Sequence, residues 1–206
     1  MGLYDRYVVP WLLNCACSAK PIAYQRAKVV PDARGRVLEL GMGSGLNLPY
    51  YDADKVEALA AVEPSEPLRR RAELAVSGSK IPIHIQEGRA EALPYENGAF
   101  DCVVCTFTLC SVQDPAAALA EARRVLKPGG RLLFCEHGQA PDADVAKWQR
   151  RIEPVWKHIA GGCHLTRPVA SAIGEAGFKL DRVESMYLPG TPRWAGWNEW
   201  GVATPA

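Results

Sequence analysis

The run Phe100-Asp101-Cys102-Val103-Val104-Cys105-Thr106 constrains the fold more than any other segment of the chain. It is nearly continuous in apolar residues, without the strict alternation of a strand that has one wet face, so as a strand it must be covered on both sides. Such strands occupy the middle of parallel sheets flanked by helices. The surroundings agree. Strand patterns fall at Arg36 to Leu40, Glu57 to Val62, Ile81 to Gln86, Phe100 to Thr106 and Arg131 to Glu136. Helical patterns separate several of them. Ser65 can cap a helix carrying Leu68, Ala72 and Leu74 that stops at Gly78. Asp114-Pro115 starts another, Ala116 to Leu126, closed by Lys127-Pro128-Gly129-Gly130. Strands alternating with helices predict βαβ units and a mainly parallel sheet.

Asp142 to Ala160 reads as one long amphipathic helix with Trp148, Ile152, Val155, Trp156 and Ile159 on one side and a kink or break forced at Pro154. Thr166 and Pro168 begin a further helix that reaches Gly177, and strands at Lys179 to Met186 and Trp197 to Thr204 complete the chain. The apolar stretch Tyr7 to Ala19 contains Pro10 and falls short of the ~20 residues a membrane span requires. It reads as an N-terminal helix packed on the domain, with no signal-peptide features.

At 206 residues, with 48% hydrophobic and 23% charged, the chain is expected to form one domain with a sizeable core. The formal net charge of +1 leaves no electrostatic footprint for nucleic acid. Seven cysteines form an odd set, and Cys102, Cys105 and Cys135 sit in apolar runs, which suits a reducing cytoplasm rather than a disulfide framework. Cys15-x-Cys17 with Cys163-His164 does not make a convincing metal pattern, since no C-x-x-C pair exists, and no metal is expected.

The strand ending at Leu40 runs into Gly41-Met42-Gly43-Ser44-Gly45, with Glu39 two residues before the first glycine and Glu63 closing the second apolar run. Closely spaced glycines after a strand let a ligand approach main-chain N–H groups, and an acid after the next strand can accept both hydroxyls of a ribose. A dinucleotide fingerprint spaces its glycines G-x-G-x-x-G and faces a pyrophosphate. Here the third glycine arrives one residue early, and the carboxylate at 39 would repel a diphosphate while suiting a cation.

This pattern resembles the class I S-adenosylmethionine-dependent methyltransferases, whose first motif reads (Asp/Glu)-x-Gly-x-Gly-x-Gly. Three further features match: Glu63, the segment Gly88-Arg89-Ala90-Glu91-Ala92-Leu93-Pro94-Tyr95, and the turn Arg124-Val125-Leu126-Lys127-Pro128-Gly129-Gly130. The resemblance to the type 11 methyltransferase core covers about residues 36 to 137. Val104 to Val112, Glu136-His137 and Gly162-Cys163-His164-Leu165-Thr166-Arg167 are similar to the corresponding stretches of the animal alkyl-thiol S-methyltransferases of the methyltransferase-like group. Those relatives carry a hydrophobic N-terminal membrane anchor, which the notable stretch here does not match.

The resemblance implies a Rossmann-like α/β fold: a seven-stranded, mostly parallel sheet with helices on both faces, the last strand antiparallel, and an N-terminal helical cap. Residues 1–34 would form that cap, 35–137 the cofactor core, and 138–206 the acceptor-side helices and last two strands. S-adenosylmethionine would be the cofactor and S-adenosylhomocysteine the product. Gly41, Gly43, Gly45 and Asn47 would admit it, with Glu39 near the methionyl ammonium and Glu63 and Pro64 at the ribose. Gly88, Arg89, Ala90 and Glu91 would border the adenine. Where relatives often carry an acid this chain has Arg89, so Arg89-Ala90 backbone and the Glu91 side chain would substitute. Thr106 and Leu109 would flank the methionine and sulfonium.

Methyl transfer to a small apolar acceptor, best a thiol, is the leading expectation. Alternatives are methylation of a phospholipid headgroup or quinone ring, and a non-catalytic cofactor-binding protein. No nucleic-acid partner and no membrane span are expected; peripheral membrane association and a monomer or homodimer remain compatible. His137, at the carboxyl end of a strand, is the first candidate at the acceptor, followed by His164 and Arg167. Each has a structural alternative: His137 bonded to backbone, His164 and Thr166 organising a helix start, Arg167 at a helix terminus. Trp194, Trp197 and Trp200 suggest an aromatic pocket, although strand parity places at least one in the core. Cys110 and Cys163 are read as packing residues. Tyr4 to Tyr24, the proline-containing helix and Leu188 to Trp194 are candidate lids.

Overall fold

A computed structural model describes residues 9–206. Seven strands form one sheet in the order β3-β2-β1-β4-β5-β7-β6. They are β1 (Gly35–Leu40), β2 (Val56–Val62), β3 (Ile83–Gln86), β4 (Phe100–Thr106), β5 (Leu126–His137), β6 (Phe178–Tyr187) and β7 (Trp197–Pro205). The first five pair in parallel, whereas β7 runs antiparallel to both β5 and β6. The helices are α1 (Val9–Cys17), α2 (Lys20–Arg26), α3 (Glu66–Ala75), α4 (Pro115–Val125), α5 (Ala143–Ile159), α6 (Val169–Glu175) and α7 (Arg193–Gly196). Of the expected N-terminal helix and lid, residues before 9 lie outside the described residues.

β4 sits between β1 and β5, and its alternate residues divide between two cores. Val103 and Cys105 join Leu38, Leu132 and Phe134 beneath α4 and α6, where Leu119, Ala122 and Ile173 close the layer. Cys102 and Val104 join Val37, Leu59, Leu133 and Cys135 on the opposite face, with Ala72 of α3 and Val29 and Val30 below α2. A fully buried Val, Leu or Phe contributes about 1.5–3 kcal/mol, so burial on both faces of this central strand is a principal source of stability.

Local signals set most element ends, with some differences. Asp114 caps α4, its side chain accepting from the Ala117 N–H at 3.0 Å. Ser65 occupies the N-cap of α3 without a side-chain cap bond; its own N–H donates instead to Glu63. Ile81 and Pro82 precede β3 rather than opening it, because the proline has no N–H to give the ladder, although the Pro82 carbonyl accepts from Leu59 at 2.9 Å.

α5 departs most from expectation. It is continuous through Pro154, and Trp148, Val155 and Ile159 are exposed. A polar face packs inward beside the half-buried Ile152 and Trp156. Gln149 is fully buried, accepting from Ala140 N–H and donating to the carbonyls of Gly138 and Trp194. One turn on, Glu153 accepts from the N–H groups of Leu165 and Thr166 and from His164 Nδ1. Buried polar groups need partners, and loop backbone supplies them here, which anchors the helix more specifically than its apolar stripe would.

Candidate active site

The carboxyl ends of β1, β2 and β4 open onto a cavity of about 500 Å³. In open parallel sheets this is where ligands lie. Its floor begins at the glycine turn. Gly41 and Met42 both donate to the Val62 carbonyl, stitching the turn to β2, and Gly41, Gly43 and Gly45 all have positive φ. A Cβ on Gly41 would lie 2.6 Å from Thr108 Oγ1, so packing requires that glycine; at Gly45 a Cβ would displace only the tip of Leu48, and the φ of +83° is what favours glycine. At Gly43, which lines the cavity, a Cβ would meet nothing within 4 Å; here the glycine leaves open space beside a main-chain N–H.

Glu63 stands opposite. Its Oε2 accepts from Gly43 N–H and its Oε1 from Ser65 N–H, both at 2.8 Å, so the carboxylate is held rigidly at the cavity wall. Burial raises its pKa while those two N–H groups oppose the rise. Pro64, Gly88, Arg89, Ala90, Glu91 and Thr106 complete much of the lining. Glu91 Oε1 is already engaged by the N–H groups of Gln113 and Asp114 and by Arg89, tying the loop ahead of α4 to the cavity rim.

Gly45, Asn47, Glu39 and Leu109 lie outside the lining. Asn47 forms a buried layer beneath it, donating to Glu39 Oε1 and Thr106 Oγ1. Tyr51 donates to Glu39 Oε2, and burial pushes the Glu39 carboxyl up to about 7. Leu109 belongs to the core, its N–H held by Glu136 Oε1 at 3.1 Å.

Arg26, at the end of α2, is a residue that sequence reasoning missed. It is buried, lines the cavity, and donates to Asn47 Oδ1 at 2.8 Å and Thr106 Oγ1 at 2.7 Å. Its Nε is buried without a partner among the described residues. A guanidinium held in the wall of a cavity fits an anionic ligand group such as a carboxylate. A helix-terminal Arg is too common in sequences for this one to stand out.

His137, His164 and Arg167 converge on one loop without lining the cavity. Arg167 donates to the carbonyls of Leu109 and Val112, His164 N–H donates to Cys110 carbonyl at 2.8 Å, and His164 Nδ1 is 3.0 Å from Glu153. His137 Nε2 lies 3.0 Å from Cys163 Sγ. Cys110 joins them, and the three ligand atoms of Cys110, His137 and Cys163 lie within 4.8 Å of one another. Hydrogen bonding from Cys163 lowers the Cys110 thiol well below its ordinary value, while Cys163 is raised by the same contact. The tryptophans build no cavity wall: Trp200 is buried core, Trp197 packs edge-on to Tyr187, and Trp194 edge-on to Trp156.

The fold and the cavity define an α/β protein with a ligand-sized cavity at its glycine turn, over the carboxyl ends of the parallel strands. The methyltransferase domain family matches residues 38–134. Human thiol S-methyltransferase TMT1B is 36% identical over 84% of this chain and 72% of its own length. The rat protein of the same name is 39% identical over 72% of this chain and 62% of its own length. An S-adenosylmethionine-dependent methyltransferase from Aquifex aeolicus has the same fold, with a TM-score of 0.67 at 17% identity, covering 94% of this chain and 97% of that one. The chain belongs to the S-adenosylmethionine-dependent methyltransferases, and S-adenosylmethionine is its cofactor.

Proposed function

We propose that this enzyme transfers the cofactor's methyl group to the sulfur of a small apolar thiol. The observation that supports the reading is the similarity to human thiol S-methyltransferase TMT1B, which covers 84% of this chain where the methyltransferase domain family matches residues 38–134 alone. In this reading Gly41 and Gly43 admit the methionyl part, Glu63 accepts from the ribose hydroxyls beside Pro64, and Gly88, Arg89 and Ala90 border the adenine. Arg26, held at the cavity wall by Asn47 and Thr106, binds the methionyl carboxylate. Thr106 and Asn47 orient Arg26, and Glu39 fixes Asn47 from below.

When bound, the cofactor supplies a sulfonium leaving group, so the protein must align an acceptor lone pair with the methyl carbon and exclude water. A thiol loses its proton near pH ~8.5 and more readily beside a cation, so its activation demands little of a general base. The His137 cluster stands closest in character to that task. α1 and α2 act as a cap over the cavity, where Asn14, Cys17 and Arg26 contribute to its lining. No helix among the described residues is long and apolar enough to cross a membrane. Seven cysteines without a disulfide suit a cytoplasmic enzyme.

The test is turnover of S-adenosylmethionine with a panel of thiols, amines, phenols, quinols and phospholipid vesicles, with products read by mass spectrometry. S-methylated thiols are expected. Turnover confined to quinols or phospholipid would overturn the thiol assignment, and cofactor binding with no product on any acceptor would point to a non-catalytic binder.

A further inference from the structure

Cys110, His137 and Cys163 come from three separate segments: the loop after β4, the end of β5, and the loop after α5. Nothing local in the sequence links them, yet their two sulfurs and one ring nitrogen lie within 4.8 Å of one another. Both cysteines are buried.

The surroundings hold each segment in place. Glu136 Oε1 accepts from the N–H groups of Thr108 and Leu109, which sets the loop just ahead of Cys110. Arg167 grips the carbonyls of Leu109 and Val112 on either side of that residue. The His164 N–H to Cys110 carbonyl bond ties the Cys163 loop to the Cys110 loop, and Glu153 fixes the residues that follow. Trp156 Nε1 donates to Cys163 Sγ at 3.3 Å. Supporting hydrogen bonds of this kind orient ligands at metal centres. The second carboxylate oxygen of Glu136 is buried with no partner among the described residues, so an acid stands beside the cluster.

Two thiols and an imidazole form a donor set for zinc or a similarly soft ion and a poor one for magnesium or calcium. Three protein ligands with a fourth position left for substrate is the arrangement of catalytic zinc sites. Ser111 and Gly161, each within two residues of a ligand, line the cofactor cavity, and so does Cys17.

We propose that Cys110, His137 and Cys163 bind one zinc ion whose fourth position takes the acceptor as its thiolate. The role of the fourth position rests on the thiol-methylation reading; the metal site does not. On coordination the acceptor R–SH gives its proton to solvent. The sulfur lone pair then forms the S–CH3 bond while the cofactor's sulfonium–methyl bond breaks, and that electron pair stays on sulfur as S-adenosylhomocysteine. The ion keeps its charge throughout, and the neutral thioether, a weaker ligand, is released.

The full chain, stripped with a chelator and titrated with Co2+, is expected to bind one equivalent and show thiolate-to-cobalt charge-transfer absorption with the intense visible bands of a tetrahedral site. Zinc should displace it. C110S, C163S and H137A should each weaken zinc binding, read by competition with a chromogenic chelator, by at least about tenfold. C15S, which alters an exposed thiol, should leave it unchanged. Adding 2-mercaptoethanol, but not ethanolamine, should shift the cobalt bands. Absence of a stoichiometric thiolate–cobalt spectrum in the wild-type chain would overturn the metal site, as would zinc affinity unaltered by C110S and C163S. If zinc-free enzyme methylates thiols at full rate, the role of the fourth position fails while the thiol reading stands. If the metal binds and no thiol is ever methylated, the thiol reading and the role of the fourth position fail together, while the metal site stands.

Discussion

Arg26 Nη1 lies 2.7 Å from Thr106 Oγ1, joining the last residue of an N-terminal helix to the carboxyl end of the central strand eighty positions later in the chain. Because Arg26 also lines the cavity, this contact holds a cation at the cavity wall as well as closing the fold. Arg26→Ala is expected to weaken S-adenosylmethionine binding by about 1.5–3 kcal/mol, the range for a hydrogen bond to a charged group. Isothermal calorimetry reads the change, and Arg26→Lys should recover only part of it, since an ammonium cannot reproduce the fork of donors. Wild-type affinity in Arg26→Ala would remove this residue from the cofactor site.

Glu63 joins the glycine turn to the loop after β2 through Gly43 and Ser65. Glu63→Ala removes those bonds together with the acceptors offered to the cofactor. Affinity is expected to fall by roughly 1–3 kcal/mol, accompanied by a lower melting temperature of the ligand-free chain. Unchanged affinity with lowered stability would make the residue purely structural.

The three glycines of the turn are not equivalent. Gly41→Ala places a methyl group 2.6 Å from Thr108 Oγ1 at a φ of +65°, so it should destabilise the ligand-free chain by about 1–3 kcal/mol in denaturant unfolding. Gly43→Ala meets no protein atom, although its φ of +60° still carries strain. It should therefore cost less stability than Gly41→Ala and show its main effect in cofactor affinity. Equal stability losses would contradict the geometry.

Burial raises the Glu39 carboxyl from 4.5 to about 7. Over that interval the folded chain retains a proton that the unfolded chain has released, so stability is fully present below about pH 4.5 and declines as pH rises toward 7. Glu39→Gln should flatten this decline and raise the stability of the ligand-free chain at pH 8 relative to wild type, by at most about 3 kcal/mol. Glu63 and Glu136, also raised by burial, leave a residual slope of the same sign. Urea unfolding of both proteins at pH 5 and pH 8 checks it; identical slopes would show that Glu39 is not the group responsible.

Much of the architecture is legible in short segments. The two-faced burial of β4, the glycine turn after β1 and the Asp114-Pro115 start of α4 each depend on residues close together in the chain, so composition and spacing reveal them. α5 misleads for a related reason. Its apolar stripe looks like a packing face, but Gln149 and Glu153 find backbone partners in loops that only the fold brings near, and Trp148, Val155 and Ile159 remain exposed.

Residues within one βαβ unit therefore determined the sheet, the cofactor turn and the position of Glu63, because strand burial, tight turns and caps are local consequences of side-chain size, shape and charge. Only the tertiary structure placed Arg26 on Thr106, sank Glu39 beneath Asn47, and gathered Cys110, His137 and Cys163. Those contacts cross tens to hundreds of ångströms of extended chain, and no periodicity records them; they exist because the sheet brings the ends of its strands, and the loops that leave them, to one edge.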